Sequence, residues 1–248
     1  MRIAVAGGTG MVGHHIVDVI RERGHEPVVL TRSTGVDLTT GEGLAGALDG
    51  CDAVIDVTSV STTSAKASRE FFGAATRNLQ AAEESAGVRH HVALSIVGAG
   101  EAPYGYYAGK ALQEELVAAG PVPWTILRAT QFHEFAGQIF GRMKAGPLVL
   151  VPRMRSQPVA AREVAERLVA LAVAEPAGWA RDLAGPREER MADLSRRWAS
   201  AVGRPGRVVE LPLPGGFGRA MRAGTLLPGP DAELGAQTFD EWLGVGRH

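Results

Sequence analysis

Three polar residues near the middle of the chain could together move a proton. Tyr106 and Lys110 are four positions apart, so on a helix they share one face, and Ser95 precedes Tyr106 by eleven positions. A lysine ammonium beside a phenol favours the phenolate and lowers a tyrosine pKa that starts at about 10. Such a tyrosine could pass a proton at neutral pH while Ser95 holds a substrate oxygen. A tyrosine followed four residues later by a lysine also arises by chance, and Tyr104 and Tyr107 are further candidates.

A glycine-rich turn opens the chain directly after an apolar run at residues 3–6. It consists of Gly7, Gly8, Thr9, Gly10, Met11, Val12 and Gly13. The spacing predicts a strand that turns sharply into a helix whose first backbone amides face a phosphate. Side chains at Gly8 or Gly10 would block that approach, and Gly13 would let the helix lie close to the strand. A tight turn can use glycine without any ligand, but the start of a βαβ unit favours dinucleotide binding.

Arg32 stands at the end of the second predicted strand, in the run Leu30-Thr31-Arg32-Ser33. NAD-specific folds present an acidic residue to the adenosine ribose at this place. A guanidinium can instead pair with a 2′-phosphate through two hydrogen bonds, so the sequence favours NADP(H) as the cofactor. The alternative is that Arg32 is a solvated loop charge.

Longer motifs carry a family resemblance. The runs GGTGMVG, TRS, DLTTGEGLAGALDGCDAVIDVTS, VALSIVGAG and VPWTILRATQFHEF resemble those of atypical short-chain dehydrogenase/reductases of the NmrA-like, NAD(P)H-binding group. The resemblance covers residues 1 to about 175. It implies cofactor contacts along the chain: Asp37 and Leu38 at the adenine, Thr58 and Ser59 along the cofactor, and Ala129, Thr130, Gln131 and Phe132 at the nicotinamide.

The same resemblance assigns roles to the three polar residues. In similar short-chain reductases NADPH gives hydride to a carbonyl carbon, a tyrosine in the place of Tyr106 protonates the oxygen, and a serine in the place of Ser95 holds it. The lysine, here Lys110, also binds the nicotinamide ribose. In the NmrA-like group the tyrosine is often absent, and several such enzymes transfer hydride without it.

Short apolar runs alternate with helical patterns through the first half of the chain. We predict strands near residues 2–6, 27–31, 53–57, 91–95 and 124–128, with helices between them, at 64–86 and at 111–119. In the first helix Val12, Ile16, Val19 and Ile20 share a face before Gly24 ends it. In the second, the predicted buried stripe is Phe71, Ala75, Leu79 and Ala82. This alternation predicts an α/β fold of the Rossmann type, doubly wound, with a mainly parallel sheet.

In the second half of the chain, apolar runs and helical patterns alternate less regularly. We expect a Rossmann core for NADP over residues 1–145, and a small C-terminal substrate lobe over 146–248 that completes the same compact unit. That lobe has a predicted helix at 161–174, a strand at 208–211 and a short packed helix at 239–243. The Gly- and Pro-rich run at 213–230 is predicted to be irregular and to form a movable cover over the substrate.

Composition limits the function classes. The 248 residues are 45% hydrophobic, and 26 Lys and Arg balance 27 Asp and Glu. A formal charge of −1 gives no reason to expect a nucleic-acid or membrane partner, so a small-molecule substrate is expected, with a monomer or homodimer. The single Cys51 cannot form an intramolecular disulfide, and the first residues leave no room for a signal peptide. We therefore expect a cytoplasmic protein.

Histidines do not form a metal site in this sequence. The adjacent pairs His14-His15 and His90-His91 point their rings apart, so we expect surface histidines and no metal. Gln131 and His133 follow a predicted strand, and either the nicotinamide cleft or a packing role would suit them.

Three functions fit these features. The leading hypothesis is an NADPH-dependent oxidoreductase that transfers hydride to a small carbonyl, quinone or similar organic acceptor. The alternative is a non-catalytic NADP(H)-binding redox sensor or regulator of the NmrA type, in which the bound cofactor controls a partner. An epimerase acting on sugar nucleotides ranks third, because the chain is short for the substrate domain of that family.

Overall fold

The computed structural model describes residues 1–204 and 206–245, which fall into two compact units. The first unit comprises Met1–Arg128 and Ala161–Arg181, and the second comprises Ala129–Ala160 and the described part of Asp182–His248. The compact units therefore divide the chain differently from the expected boundary at residue 145. The helix predicted at 161–174 returns to the first unit.

The elements run along the chain as follows. The helices are α1 Gly13–Glu22, α2 Leu44–Leu48, α3 Ala65–Ala86, α4 Tyr106–Ala118, α5 Phe135–Arg142, α6 Ala161–Ala172, α7 Met191–Ala201, α8 Gly215–Ala223 and α9 Phe239–Val245. The longer strands are β1 Arg2–Ala6, β2 Glu26–Leu30, β3 Ala53–Asp56, β4 His90–Ile96, β5 Trp124–Ala129, β7 Leu148–Pro152 and β12 Arg207–Leu211. Two-residue strands complete the set: β6 Lys144–Ala145, β8 Arg155–Ser156, β9 Gly178–Trp179, β10 Leu183–Ala184, β11 Glu189–Arg190 and β13 Glu233–Leu234.

A mostly parallel sheet forms the centre of the first unit. Its strands follow the order β2-β1-β3-β4-β5, with β9 beside β5. The pairings of β1 with β2, β1 with β3, β3 with β4 and β5 with β9 are parallel. Helix α1 packs with α6, and α3 packs with α4, so helices flank the sheet. The predicted fold class is confirmed: this is a Rossmann-like α/β fold.

Helices α1 and α3 begin and end close to where the sequence indicates, whereas α4 begins at Tyr106, before the predicted start at residue 111. The side chain of Ser64 accepts a hydrogen bond from the amide of Ala67 at the start of α3, and Gly87 ends that helix with a φ of 71°. On α1 the predicted face is confirmed, since Ile16 and Ile20 are fully buried.

The predicted stripe on α3 is partly wrong. Phe72 is fully buried and its neighbour Phe71 is only partly so. A 22-residue helix that packs against α2 and α4 and also places Leu79 in the core cluster with Ala4 and Val54 buries a broader face than one apolar stripe indicates.

The histidines of β4 are not on the surface as expected. His90 and His91 are both buried, and the Nδ1 atom of His91 lies 2.8 Å from a carboxylate oxygen of Glu83 on α3. Burial lowers the pKa of His91, but the adjacent Glu83 carboxylate outweighs it, so the net direction is upward. Strand β4 lies between β3 and β5, and helices α4 and α6 pack against it, so adjacent histidines that point to opposite faces are both enclosed.

The second unit is built from short strands and helices. Strand β7 pairs in parallel with β12 and antiparallel with β6, while α5 packs against α7. The predicted strand at 208–211 and the predicted helix at 239–243 are confirmed as β12 and α9. The expectation of an irregular segment at 213–230 is wrong in part, because α8 occupies Gly215–Ala223. The guanidinium of Arg222 donates to the carbonyl of Leu213 at 2.7 Å, so the segment is internally bonded.

Candidate functional site

The carboxyl ends of the central strands gather the candidate residues of the first unit. The strand order reverses direction between β1 and β3, which is where doubly wound sheets bind their ligands. The glycine turn follows β1, Thr58 follows β3, and Ser95 lies near the end of β4. Since Asp56 of β3 pairs with Ala93 of β4, Thr58 and Ser95 hold equivalent positions, each two residues further along its strand direction.

The glycine turn is held tightly to the sheet. Gly7 adopts a φ of 84°, and a Cβ atom there would lie 2.9 Å from the carbonyl oxygen of Val57. The amide of Gly10 donates to the Gly7 carbonyl at 2.9 Å and closes the turn. A Cβ atom on Gly13 would overlap the backbone of Gly7 and Gly8, so the predicted close approach of helix and strand is present.

Gly8 is constrained by packing, and its expected role beside a phosphate stays a prediction. A Cβ atom at Gly8 would lie 2.9 Å from Cγ1 of Val29 on β2. Its small size is therefore needed for packing. Gly10 and Thr9 are exposed and Met11 is partly exposed, whereas the side chain of Val12 is buried. Only the backbone of Val12 is available to a ligand.

Two features of this edge fit an anionic, hydroxyl-bearing cofactor. Helix α1 receives no side-chain hydrogen bond from its N-cap residue Val12, and its first turn contains no acidic residue, so its positive end is open to a phosphate. The hydroxyl oxygens of Thr58 and Ser95 are buried and have no hydrogen-bond partner among the described residues. Buried hydroxyls without partners are costly, and a bound ligand would supply the missing partners.

Arg32 begins a single 3-10 turn, Arg32–Thr34, directly after β2. It is exposed, and its guanidinium forms no hydrogen bond or ion pair with any residue that the structure describes. Asp37 is engaged locally: its carboxylate accepts from the amide and the hydroxyl of Thr39 at 2.8 and 2.6 Å, which lowers the pKa of Asp37. The carbonyl of Leu38 accepts from Asn78 at 2.9 Å. The adenine contacts of Asp37 and Leu38 stay a prediction.

Lys110 is buried beneath this edge. Helix α4 docks so closely on α3 that a Cβ atom on the adjacent Gly109 would lie 2.6 Å from the ring of Phe72. The ammonium of Lys110 donates to the carbonyl of Leu94 at 2.6 Å and to the side-chain oxygen of Gln113. Burial lowers the pKa of Lys110 to about 8, although the carboxylates of Asp56 and Glu114 oppose this shift.

Tyr106 occupies the first position of α4. Its hydroxyl lies 3.4 Å from that of Ser59, and its ring packs edge-on against Phe72. Burial raises the pKa of Tyr106, and the contact with Ser59 only partly opposes this rise. The expectation that Lys110 lowers the pKa of Tyr106 is therefore wrong for this structure, because the ammonium is bound to Leu94 and Gln113 instead.

The four residues expected near the nicotinamide, Ala129 to Phe132, belong to the second unit. The hydroxyl of Thr130 donates to the carbonyl of Gln157 at 2.6 Å, and the side-chain oxygen of Gln131 accepts from Ser156 at 2.8 Å. In the same unit His133 is buried against Phe239 and Trp242, which favours its packing role. The nicotinamide contacts of this segment stay a prediction.

Two residues that the sequence analysis did not single out complete the cluster around Lys110. The amide nitrogen of Gln113 donates to the carboxylate of Asp56 at 2.7 Å. Asp56 ends the apolar run AVID of β3 and is fully buried. A charged residue in such a run is rarely buried without a partner, and this was the available signal. Gln113 carried no comparable signal, because a glutamine on a helix is usually solvated.

Two other kinds of site are absent from the described ranges. No three His, Cys, Asp or Glu side chains in residues 1–204 and 206–245 come together as metal ligands would. Among the helices that the structure describes, none has both the length and the apolar character to cross a membrane.

The central sheet, its flanking helices and the glycine turn together define a Rossmann-like α/β protein. Comparison with protein families then gives the narrower assignment. Residues 33–175 match the family described as NAD(P)H-binding, and the chain belongs to that family.

The individual proteins that this chain resembles have low sequence identity to it. A photosystem II assembly factor, Ycf39 of Synechocystis sp., is 31% identical over 147 residues, which cover 53% of this chain and 45% of the relative. The chain thus spans less than half the length of the curated relatives it matches. The UDP-glucose 4-epimerase of Thermus thermophilus, solved with NAD, has a TM-score of 0.70 and 18% identity, covering 100% of this chain and 94% of the other. The NAD-dependent NDP-hexosamine 5,6-dehydratase TunA has a TM-score of 0.74 and 18% identity, covering 98% and 95%.

Proposed function

We propose that this protein is an NADPH-dependent oxidoreductase acting on a small carbonyl, quinone or similar organic acceptor. One observation carries the proposal: the uncapped start of α1 and the unpartnered hydroxyls of Thr58 and Ser95 lie along the switch point of the sheet. These groups suit the phosphates of a dinucleotide and the polar atoms beside its reactive end. Membership of the NAD(P)H-binding family supports the same cofactor class.

The chain's own residues would share the binding of NADPH. The backbone amides of residues 9–13 would bind the pyrophosphate, and the unpaired guanidinium of Arg32 would pair with the 2′-phosphate. Thr58 and Ser59 would line the cofactor, and Lys110 would contact its nicotinamide ribose. Bound NADPH would supply the hydride.

Proton transfer in this proposal uses Tyr106 as an acid. A tyrosine whose pKa is raised stays protonated at neutral pH, so its hydroxyl is available to donate to an acceptor oxygen as hydride arrives. The Ser95 hydroxyl would donate a hydrogen bond to that acceptor oxygen, because this hydroxyl has no hydrogen-bond partner among the described residues. Lys110 would act on the cofactor and not on the phenol.

A second function is favoured by the position of Lys110. Its ammonium is bound to Leu94 and Gln113, so the pairing with Tyr106 expected of a reductase is missing. A non-catalytic NADP(H)-binding sensor or regulator needs the binding site but not that pairing. The similarity to an assembly factor is compatible with a role of this kind.

Turnover and binding measured side by side separate the two functions. NADPH oxidation would be followed with quinones, aldehydes, ketones and dyes, against blanks lacking the acceptor, and NADPH binding would be titrated calorimetrically. Acceptor-dependent oxidation that falls in Tyr106→Phe supports the enzyme. Tight binding with no oxidation above the blank in any acceptor class contradicts it and supports the sensor.

A further inference from the structure

The side chain of Lys110 is held in place by contacts with several parts of the first unit. Its side chain is almost completely buried, and its ammonium has two oxygen partners, the Leu94 carbonyl of β4 and the Gln113 side chain of α4. The ammonium also lies 4.7 Å from the centre of the Phe72 ring on α3. Three different elements therefore define its place.

Asp56 connects this lysine to the strand that carries Thr58. One carboxylate oxygen of Asp56 accepts from the Gln113 side chain at 2.7 Å, and the other accepts from the backbone amide of Thr58 at 2.9 Å. A continuous chain of hydrogen bonds thus runs from the Thr58 amide through Asp56 and Gln113 to Lys110. It joins the end of β3 to the middle of α4.

The polarity of this chain allows only one arrangement. An ammonium can only donate and an ionised carboxylate can only accept, so the Gln113 amide must turn its oxygen to Lys110 and its nitrogen to Asp56. Both charged groups are buried, and each would be costly without the other. The other charged groups that act on Lys110 are Glu114 of α4 and, when protonated, His91 of β4.

We propose that Asp56 and Gln113 are positioning residues of the cofactor site, which fix the Thr58 backbone and the Lys110 ammonium as one connected unit. This inference rests on the proposed function, in which Thr58 and Lys110 both face the cofactor. Neither Asp56 nor Gln113 touches the cofactor in this scheme. Asp56 sets the orientation of both contacts, and its charge keeps Lys110 protonated.

The side-chain signals of lysine give a direct test, because the chain contains only Lys66, Lys110 and Lys144. Full-length protein labelled in lysine would be studied by NMR, with Lys66→Arg and Lys144→Arg assigning the third signal to Lys110. In the wild type we expect Lys110 to titrate at about pH 8, with ammonium protons that exchange slowly and show contact with the Gln113 amide. An ammonium that exchanges as fast as that of exposed Lys66 overturns the proposal without any variant of Asp56.

Asp56→Asn is the main variant. An asparagine that still accepts from Thr58 presents its own NH2 group to the Gln113 NH2 group, so the chain must break or reverse. We expect the Lys110 midpoint to fall by about one pH unit, because a nearby buried charge is removed. The amide of Thr58 should exchange with solvent faster at the same time.

Glu114→Gln is the matched control. It also removes a carboxylate near Lys110, but one that is paired with Arg128 and has no bond to Thr58. It should lower the Lys110 midpoint and leave the Thr58 amide protected. Gln113→Leu should disturb Lys110, and the combined Asp56→Asn/Gln113→Leu change should move Lys110 no further than the larger single effect. Additive shifts, or an Asp56→Asn protein with the wild-type midpoint, contradict the positioning role.

Cofactor binding is tested separately so that the two proposals can fail independently. Asp56→Asn and Lys110→Met should each weaken NADPH binding by about tenfold, with no further loss when they are combined. Unchanged affinity in Lys110→Met contradicts the cofactor role of Lys110 in the proposed function. An unchanged Lys110 midpoint in Asp56→Asn contradicts the positioning by Asp56, whatever the affinity.

Discussion

The glycine turn and the Ser95–Tyr106–Lys110 group lie on the same unit but differ in how their polar groups are satisfied. The start of α1 has no side-chain cap, and the Arg32 guanidinium next to the turn has no partner among the described residues. The Lys110 ammonium, in contrast, already donates to two protein oxygens, and burial raises the pKa of the Tyr106 phenol. The difference teaches that the turn leaves polar groups open to a ligand whereas the protein itself binds Lys110. In the proposed function, proton transfer would therefore rest on Ser95 and Tyr106 without the lysine.

The largest effect is expected from the turn. In Gly13→Ala the new methyl group overlaps backbone atoms of Gly7 and Gly8, which cannot move aside as a flexible side chain could. The free energy of unfolding should fall by about 3 kcal/mol, with NADPH binding lost, as measured by urea titration and calorimetry. Gly46→Ala, where a Cβ meets nothing within 4 Å, is the control and should not lose stability. Equal stabilities of the two variants would contradict the close docking of α1.

Tyr106→Phe tests the group beside the turn. If Tyr106 donates the proton, turnover should fall by about a hundredfold while NADPH affinity stays nearly constant, because the ring still packs on Phe72. Steady-state rates and a binding titration on the same protein measure both. Unchanged turnover would mean that the proton comes from solvent or substrate, and would leave the binding site in place.

Arg32→Ala tests the source of the cofactor preference and should remove most of it. Removing an exposed guanidinium with no protein partner should leave stability unchanged, but it should cost NADPH about ten- to hundredfold in affinity and NADH almost nothing. The ratio of the two dissociation constants is the measurement. A ratio that does not change shows that Arg32 is a solvated charge.

The smallest effect concerns stability at Ser95. Its buried hydroxyl has no partner among the described residues, so Ser95→Ala should change the melting temperature very little while lowering turnover. The hydroxyl of Ser68 donates to the carbonyl of Tyr106 at 2.9 Å, and Ser68→Ala should cost about 1 kcal/mol of stability. A larger loss for Ser95→Ala than for Ser68→Ala would indicate a structural role for Ser95.

Most strands and helices of the first unit could be predicted because the signals for them lie in consecutive residues. The alternation of apolar runs placed β1 to β5 within a residue or so, and Gly87 marked the end of α3. Burial that depends on packing between segments far apart in sequence could not be predicted as well. The choice of Phe71 over Phe72 and the surface assignment of His91 both failed, because burial there is decided by α4 and by Glu83.

The candidate site also has one part that the sequence predicts and one part that it does not. The glycine turn could be found from spacing, because its function is a property of consecutive backbone atoms. The partners of Lys110 could not, since Leu94, Gln113 and Asp56 meet only when β3, β4 and α4 are assembled. The helix α8 could not be predicted because its three glycines and the preceding Pro214 locally favour irregular structure over the helix that forms.

The central claim is that the first unit binds an NADP-type dinucleotide at the glycine turn. Calorimetric titration of the wild-type protein with NADPH and, separately, with NADH tests it most directly. We predict one site per chain, with NADPH bound about tenfold more tightly or better than NADH. Equal dissociation constants would contradict the role of Arg32, and the absence of binding by either cofactor would contradict the claim itself.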